Sequence, residues 1–318
     1  MKKKITVIIP AYNEEESLPI CYERVTKLIN GIDKYDFEIL TVDDGSKDRT
    51  PEIAKKQFED DSRFCYVRFS RNFGKEIAMI AGLDYAKGDA VIFIDADLQD
   101  PPEVIPELIG YWEEGYDDVY ARRRSRKGES WLKKFTSKMY YKTLQKLTRV
   151  PIQKDTGDFR LLDRRCVNAL RKMRETSRNT KSLFSWIGYN KKEVLYDRDP
   201  RVAGKTKWNY KKLTDLAIDG ITSFTTSPLR ISTYLALPTF LLSFAWFVYV
   251  LVTCIVRSRI PSASRVIIFL ILFFAACNML LLGVIGEYIG RMFNESKRRP
   301  LYLVDEYNGE KEQNELDK

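Results

Sequence analysis

Apolar runs and amphipathic stretches alternate along the first hundred residues. Four short runs rich in β-branched and aromatic residues resemble strands that are buried on both faces. These runs span residues 5–9, 37–42, 64–69 and 90–94. The stretches between them carry apolar residues at helical spacing and span residues 17–32, 50–57 and 75–86. Strands that alternate with helices predict an open, mostly parallel α/β sheet.

Polar motifs follow three of the predicted strands directly. They are Tyr12-Asn13-Glu14, Asp43-Asp44 and Asp95-x-Asp97. In parallel sheets, ligands bind beyond the carboxyl ends of the strands. We therefore expect the three motifs to converge on one crevice.

Two long uncharged apolar runs, 234–256 and 266–286, have the length of membrane-crossing helices. A short loop joins them, so the pattern predicts a transmembrane hairpin within residues 231–290. A buried helical pair in a soluble core is the alternative. We expect a catalytic domain at 1–230 and a tail at 291–318 that is partly disordered from about Asn308. Three arginines in the loop oppose a cytoplasmic catalytic domain, but the flanks carry more basic residues and favour it.

Two amphipathic stretches, residues 130–149 and 209–229, leave two interpretations open. Either stretch can pack on the sheet or lie in a membrane interface. The adjoining apolar run favours the interface for the second stretch.

The composition excludes several classes of partner and of active site. The formal net charge is +9, which suits anionic lipid or phosphate, whereas no nucleic-acid-binding motif accompanies it. Histidine is absent, which excludes a Ser-His-Asp nucleophile and any His-ligated metal. The five cysteines form no C-x-x-C pair, so neither a zinc site nor a disulfide framework is expected. The first apolar run stops at Pro10, too early for a signal-peptide core.

The D-x-D motif suggests a site for a hard divalent cation. Asp97 with Asp95 or Gln99 provides oxygen ligands, and a bound diphosphate would complete the coordination. Taken alone, the motif is also compatible with a solvated turn after a strand.

Five ordered motifs together resemble a known family. They are VIIPAYNEE at 7–15, VDDGSKDRT at 42–50, SRNFGKEIAMIAGLDYAKGD at 70–89, DTGDFRLLDR at 155–164 and RVAGKTKW at 201–208. The chain is similar, to about residue 304, to the family 2 polyprenyl-phosphate glycosyltransferases, which include dolichol-phosphate mannose synthase and the bacterial bactoprenol glucosyltransferases. The resemblance implies a Rossmann-like GT-A fold followed by the hairpin.

The resemblance implies roles for particular residues. The nucleotide-sugar site would use Pro10, Tyr12, Glu14, Asp43, Asp44, Asn72, Gly74, Lys75 and Asp95. Mg²⁺ or Mn²⁺ would bind Asp95, Asp97 and Gln99. For Lys75, a surface lysine is an equal alternative to contact with the diphosphate. For Asp43-Asp44, the alternative is an ordinary helix-capping turn.

Asp158 matches the family's proposed catalytic base and would act with Asp95 and Asp97. Because a phosphate acceptor is already largely ionised near neutral pH, Asp158 can instead orient the acceptor. A structural pair with Arg160 is a third interpretation. The acceptor phosphate would bind Arg122 and Arg201, with looser candidates in Lys133, Lys134, Ser137, Lys205 and Lys207. Many relatives carry Ser where this chain has Thr206, and both side chains have a hydroxyl group.

The resemblance implies an inverting transfer from UDP-glucose, or secondly UDP-N-acetylglucosamine, to undecaprenyl phosphate. The enzyme would be a multi-pass plasma-membrane protein that serves cell-envelope glycans, and a homo-oligomer is compatible with the sequence. The alternatives are a catalytically silent scaffold or sugar sensor that keeps the fold and, with less support, a processive polysaccharide synthase. The Q-x-x-R-W motif expected of such a synthase is missing.

Overall fold

The computed structural model describes residues 2–124, 156–176, 178, 180–198, 248, 252 and 263–311. The chain divides into two compact units, Met1–Thr214 with Pro300–Lys318, and Asp215–Arg299. Both amphipathic stretches, the RVAGKTKW motif and nearly all of the run 234–256 lie outside the described residues.

Within the described residues of the first unit, nine strands form one sheet in the order β7-β5-β6-β4-β1-β2-β3-β8-β9. The strands are β1 (Lys4–Ala11), β2 (Asp36–Asp43), β3 (Phe64–Phe69), β4 (Ala90–Phe93), β5 (Asp118–Arg123), β6 (Thr156–Asp163), β7 (Lys191–Tyr196), β8 (Val304–Tyr307) and β9 (Glu310–Lys311). The helices are α1 (Leu18–Ile29), α2 (Thr50–Asp60), α3 (Lys75–Tyr85), α4 (Ile105–Glu113), α5 (Arg164–Arg171) and α6 (Thr180–Trp186), with a 3₁₀ turn at Pro102–Val104.

The centre of the sheet has the predicted parallel arrangement. Strands β4, β1, β2 and β3 run parallel, and β1 is almost wholly buried, as its continuous apolar sequence requires. Helix α3 packs closely on β1: a Cβ added at Gly82 would lie 2.5 Å from Cγ2 of Ile8. This contact holds the second half of α3 against the central strand of the sheet.

The flanks of the sheet correct the expectation of a mostly parallel sheet. Strand β6 is antiparallel to β4 and to β5, and β8 is antiparallel to β3. The sheet is therefore mixed. The four apolar runs predicted from the sequence are the parallel strands β1 to β4, whereas the antiparallel strands β6 and β8 were not predicted.

The tail after residue 300 belongs to the first unit. We expected disorder from about Asn308, whereas Val304–Tyr307 pairs with β3 and the chain turns back through β9 to Lys311. Residues 312–318 lie outside the described residues.

The second unit contains helix α7 (Ala263–Ser296), which includes the run 266–286. Of the run 234–256, only Val248 and Val252 are described, and both are helical. Among the described residues, no helix is both long enough and apolar enough to cross a membrane. The transmembrane hairpin thus stays a prediction.

Candidate active site

The turns that follow β1 and β2 lie together at the carboxyl edge of the sheet, where the crevice is predicted. Ala11 and Asp43 are in register where these strands end, so the two turns lie side by side. The backbone N–H of Asn13 donates to Oγ of Ser46 at 2.9 Å, and that of Lys47 donates to Oδ1 of Asn13 at 2.9 Å. These reciprocal bonds brace the two turns against each other.

Three residues predicted to bind the nucleotide lie on or beside the turn after β1. Pro10 pairs with Val42 within the sheet, and Tyr12 is half-buried. The carboxylate of Glu14 accepts a hydrogen bond from Oγ of Ser17 at 2.6 Å. The structure therefore places this turn at the carboxyl edge of the sheet, and binding of a base or ribose by Tyr12 and Glu14 stays a prediction.

Asp44 anchors the loop that leads into α3. Its Oδ1 accepts a hydrogen bond from the backbone N–H of Phe73 at 2.6 Å, and its Oδ2 accepts one from the N–H of Gly74 at 2.9 Å. Burial raises the pKa of Asp44, and these two backbone donors partly offset that rise. Asn72 lies on the same loop. Sequence reasoning gave Asp44 to the nucleotide and missed this anchoring.

The loop and the turn after β2 approach each other very closely. Gly45 has a φ of +65°, and a Cβ there would lie 2.4 Å from the carbonyl carbon of Arg71. Gly74, which ends the loop, has a φ of +102°. Glycine satisfies the positive φ at both positions, and at Gly45 it also leaves room for the neighbouring backbone.

Asp43 is fully buried beside Asp44. Its Oδ1 accepts a hydrogen bond from the N–H of Ser46 at 3.2 Å, while Nε of Arg68 lies 3.7 Å from its Oδ2. Burial raises the pKa of Asp43 to about 6, although Ser46 and Arg68 act in the opposite direction. This carboxyl group is therefore costly to ionise.

Strands β4 and β6 bring the other carboxylates together. Phe93 of β4 is in register with Arg160 of antiparallel β6, so Asp95 and Asp158 follow on facing chains. Nζ of Lys75 lies 2.7 Å from Oδ1 of Asp95 and 2.7 Å from Oδ2 of Asp158. One ammonium thus bridges the residues assigned to metal binding and to catalysis, a contact that neither interpretation of Lys75 anticipated.

The charges in this cluster shift each other's pKa values. Burial lowers the pKa of Lys75, but the carboxylates of Asp158 and Asp95 outweigh it and hold that pKa well above its usual value. Burial also raises the pKa of Asp158, but Lys75 and then Lys181 outweigh it and hold that pKa well below its usual value. Nζ of Lys181 lies 4.0 Å from Oδ1 of Asp158. Asp158 is therefore ionised at neutral pH in this arrangement.

Arg160 contacts other partners than the sequence suggested. It is fully buried, its Nη1 lies 3.1 Å from Oδ2 of Asp118, and its guanidinium lies 3.7 Å from the centre of the Phe184 ring. Among the described residues, Asp158 forms ion pairs with Lys75 and Lys181, whereas Arg160 pairs with Asp118. The interpretation of Asp158 as a structural partner of Arg160 stays untested.

The proposed metal ligands lie at the end of β4. Oδ1 of Asp97 accepts a hydrogen bond from the N–H of Gln99 at 3.1 Å, and Oε1 of Gln99 accepts one from Arg198. Across the described residues, no three or more acidic, Cys or His side chains are grouped to hold a metal. The carboxylates of Asp95 and Asp97 still fit a hard cation chemically, provided that Lys75 releases Asp95 and a diphosphate supplies further oxygens.

Of the predicted acceptor residues, Arg122 alone lies in the described part of the chain. It projects from β5 with its Nη1 3.1 Å from Oε2 of Glu193. Arg201, Lys133, Lys134, Ser137, Lys205 and Lys207 fall outside the described residues. Sequence reasoning missed Lys181, which no motif marked.

Comparison with known proteins places the chain in a family. Residues 6–171 match Glycosyl transferase family 2, and residues 227–292 match the GtrB C-terminal hairpin. An uncharacterised glycosyltransferase of Synechocystis sp. is 47% identical over 97% of this chain and 97% of its own length. A prophage bactoprenol glucosyl transferase homologue of Escherichia coli is 41% identical over 95% of this chain and 98% of its own.

Among solved structures, a glucosyl-3-phosphoglycerate synthase of Mycobacterium tuberculosis has a TM-score of 0.49 at 20% identity, over 69% of this chain and 76% of that one. That likeness is too distant to inform the site. The family match and the two relatives, by contrast, extend over the braced turns, the D-x-D motif and β6. The chain therefore belongs to glycosyl transferase family 2 and is a glycosyltransferase.

Proposed function

We propose that this enzyme transfers a hexose from a nucleotide-sugar to the phosphate of a polyprenyl lipid, with inversion at the anomeric carbon. The observation that carries the proposal is the pair Asp95 and Asp158, joined through Lys75 and next to the loop that Asp44 anchors. Relatives named bactoprenol glucosyl transferase, at 41% identity, support undecaprenyl phosphate as the acceptor and glucose as the sugar.

For the donor, UDP-glucose is the first choice and UDP-N-acetylglucosamine the second. The braced turns after β1 and β2 would receive the base and ribose, with Tyr12 stacking and Glu14 accepting hydrogen bonds. Asn72 and Gly74 would border the diphosphate. This arrangement assigns the nucleotide to the half of the crevice that backbone hydrogen bonds already hold in place.

Asp95 and Asp97 would hold Mg²⁺ or Mn²⁺, with Gln99 as a further oxygen donor if Arg198 releases it. When bound, the cation supplies electrostatic stabilisation of the leaving diphosphate. Lys75 would then leave Asp95 and offer its ammonium to phosphate oxygens. The chain's own contribution here is to exchange one cation for another beside the same carboxylate.

Asp158 would orient the attacking acceptor. A carboxylate whose pKa lies well below its usual value is a weak base. The acceptor phosphate has a second pKa of about 6, so little is gained by deprotonating it. Arg122, and among the undescribed residues Arg201, Lys134, Ser137, Lys205 and Lys207, would hold that phosphate.

Residues 231–290 would cross the plasma membrane twice, with the domain 1–230 and the tail 291–318 in the cytoplasm. The match to the GtrB C-terminal hairpin supports this topology. Single cysteines at Ser262 and Ser296 in a cysteine-free background test it. An impermeant thiol reagent applied to intact cells is expected to label position 262 but not 296, and the reverse pattern contradicts the topology.

The activity is tested with purified full-length protein, polyprenyl phosphate and a panel of UDP-glucose, UDP-N-acetylglucosamine and GDP-mannose. The lipid product is identified by its mass, and a matched reaction uses the Asp97→Asn variant. We expect a hexosyl lipid from wild type, none from the variant, and reversible loss with a chelator. Nucleotide binding without any lipid product would favour the silent scaffold, and full activity in excess chelator would exclude the cation.

A further inference from the structure

We infer that the tail is part of the donor site, with Tyr302 and Asp305 as positioning residues for residues 70–74, here called the donor loop. This inference rests on the proposed function in one respect, that the crevice binds a nucleotide-sugar. The similarity to the family extends to about residue 304, but none of the five family motifs lies in the part of the tail that begins at residue 300. The hairpin match ends at residue 292.

The tail contacts the chain where the donor loop begins. Strand β8 pairs with β3, and the pairing continues past the end of both strands, because the N–H of Ser70 donates to the carbonyl oxygen of Leu303 at 3.0 Å. The first residue of the donor loop is thus held by tail backbone. The last residues of the loop are held by Asp44.

A row of aromatic rings connects the tail to the anchored end of the loop. The ring of Tyr302 stacks on that of Phe69, with centroids 5.0 Å apart and an interplanar angle of 19°. Phe69 makes an edge contact with Phe73 at 5.7 Å. Phe73 is the residue whose N–H donates to Asp44. Removing the Tyr302 ring would free Phe69 and Phe73 to shift, and the loop backbone with them.

A second connection runs through charge. Nη1 of Arg68 lies 3.8 Å from Oδ2 of Asp305, and Nε of the same guanidinium lies 3.7 Å from Oδ2 of Asp43. Asp305 therefore helps to hold the cation that faces the buried carboxyl group of Asp43. Without Asp305, Arg68 is free to turn into solvent or toward a bound phosphate.

Other tail contacts lead away from the donor loop and provide a matched control. The Tyr307 ring lies 4.8 Å from that of Tyr85, at the far end of α3 from the loop. Tyr302 and Tyr307 thus each pack a tail ring on one other ring, that of Phe69 in β3 and that of Tyr85 in α3. The hydroxyl of Tyr302 also donates to Oδ2 of Asp84 at 2.8 Å. Only the Tyr302 contact continues to Phe73 and Asp44. If the tail merely stabilises the fold, the two truncations should have the same effect on binding.

The experiment compares Tyr302→Ala with Tyr307→Ala in the full-length enzyme. Calorimetry measures the Kd for UDP, steady-state kinetics separates the donor KM from kcat, and thermal unfolding gives Tm. We expect Tyr302→Ala to weaken UDP binding and raise the donor KM by about threefold to tenfold, the scale of losing one aromatic pair, with kcat nearly unchanged. Tyr307→Ala is expected to lower Tm with an unchanged Kd.

Asp305→Asn and Asp305→Glu form the second pair of variants and serve if Tyr302→Ala fails to fold. Asp305→Asn is expected to raise the donor KM about threefold, which corresponds to the loss of a partly exposed ion pair. Asp305→Glu keeps the charge and is expected to have the wild-type KM. Equal Kd values for Tyr302→Ala and Tyr307→Ala, or for Asp305→Asn and wild type, would overturn the inference and leave the proposed function standing. Wild type that binds no nucleoside diphosphate would reject both.

Discussion

The two halves of the crevice hold their carboxylates by different means. Beside β1 and β2, Asp44 accepts hydrogen bonds from the backbone of Phe73 and Gly74. Beside β4 and β6, Asp95 and Asp158 share the ammonium of Lys75. Backbone donors in a braced loop have little freedom, whereas a lysine ammonium sits at the end of a flexible four-carbon stem.

Under the proposed function, this difference would separate recognition of the donor from the transfer step. The first half is preorganised, so a ligand that binds there spends little free energy on ordering it. In the second half, the cation beside Asp95 can be exchanged without moving the backbone. Under the proposed function, such a site would bind its donor in a fixed place and still rearrange its charges when the donor and a divalent cation arrive.

We expect the largest effect on activity in the half of the site that contains Asp95, Asp158 and Lys75. Asp158→Asn removes the charge that Lys75 and Lys181 face, and we expect kcat to fall by about 10³-fold, as for loss of a group acting near the transition state. The Kd for UDP should change little, because Asp44 and its loop are untouched. Single-turnover kinetics and calorimetry measure the two quantities.

The pH dependence of the same variant distinguishes the two roles of Asp158. A loss that eases as pH rises indicates a base, whereas a loss independent of pH indicates an orienting group. Asp197→Asn, at an exposed acid paired with Arg124, is the control. Turnover of Asp158→Asn at the wild-type rate would contradict both roles.

The next effect tests the preorganised half. Asp44→Asn keeps one oxygen but loses the charge that the two backbone N–H groups face. Hydrogen bonds to charged groups are worth about 1.5–3 kcal/mol, so we expect UDP binding to weaken by about tenfold to a hundredfold. Asp60→Asn, at an exposed residue, is the control. A Kd within twofold of wild type would show that the loop stays in place without Asp44.

Lys75→Met sharpens the comparison at the shared ammonium. Without the cation, the pKa of Asp158 should rise, because Lys75 is the main group that lowers it against burial. The acid side of the pH–rate profile should then shift upward in pH, with about tenfold loss of kcat at neutral pH. Lys75→Arg keeps the charge and should keep the wild-type acid limb. If the acid limb of Lys75→Met is not shifted, the Lys75 ammonium of the wild-type enzyme does not lie beside Asp158 during turnover.

The smallest effect concerns stability. The pKa of Asp43 is raised to about 6, so the folded state holds this proton more tightly than the unfolded state. The stabilisation that the protonated Asp43 gives to the folded state is complete below about pH 4, and it is lost as pH rises through about 6. Asn mimics the protonated form, so Asp43→Asn should raise Tm by a few degrees at pH 7 and hardly at all at pH 4.

Thermal unfolding at the two pH values provides the measurement. Asp36→Asn, at an exposed residue at the start of β2, is the control. An equal change in Tm at both pH values would show that ionisation of Asp43 is not the cause.

Sequence alone predicted the central strands and α1 to α3 to within a few residues. Their long apolar runs and helical periodicities are local signals, and the strand ends place Asp43, Asp44, Asp95 and Asp97 at one edge. The burial of Arg160 could not be predicted in this way. An arginine is normally expected at the surface, and only the folded structure shows that Asp118 and Phe184 surround this one.

The features that the sequence could not reveal depend on distant partners. Val304–Tyr307 is only four residues long and half polar, so nothing local marks it as a strand, and its partner is β3. The bridge from Lys75 to Asp95 and Asp158 depends on which side chains meet across α3, β4 and β6. Spacing along the chain does not determine such a meeting.

The pairing of β3 with β8 sets an order of events during synthesis. Tyr66 and Glu306, which share a 2.6 Å hydrogen bond, are 240 residues apart along the chain. The ribosome therefore completes the braced turns and D-x-D long before the strand that closes this edge of the sheet emerges, and the residues of α7 just before it. Until then β3 has an unpaired edge, which is a site for aggregation. A nascent chain that terminates early would keep its motifs but leave the start of its donor loop unsupported.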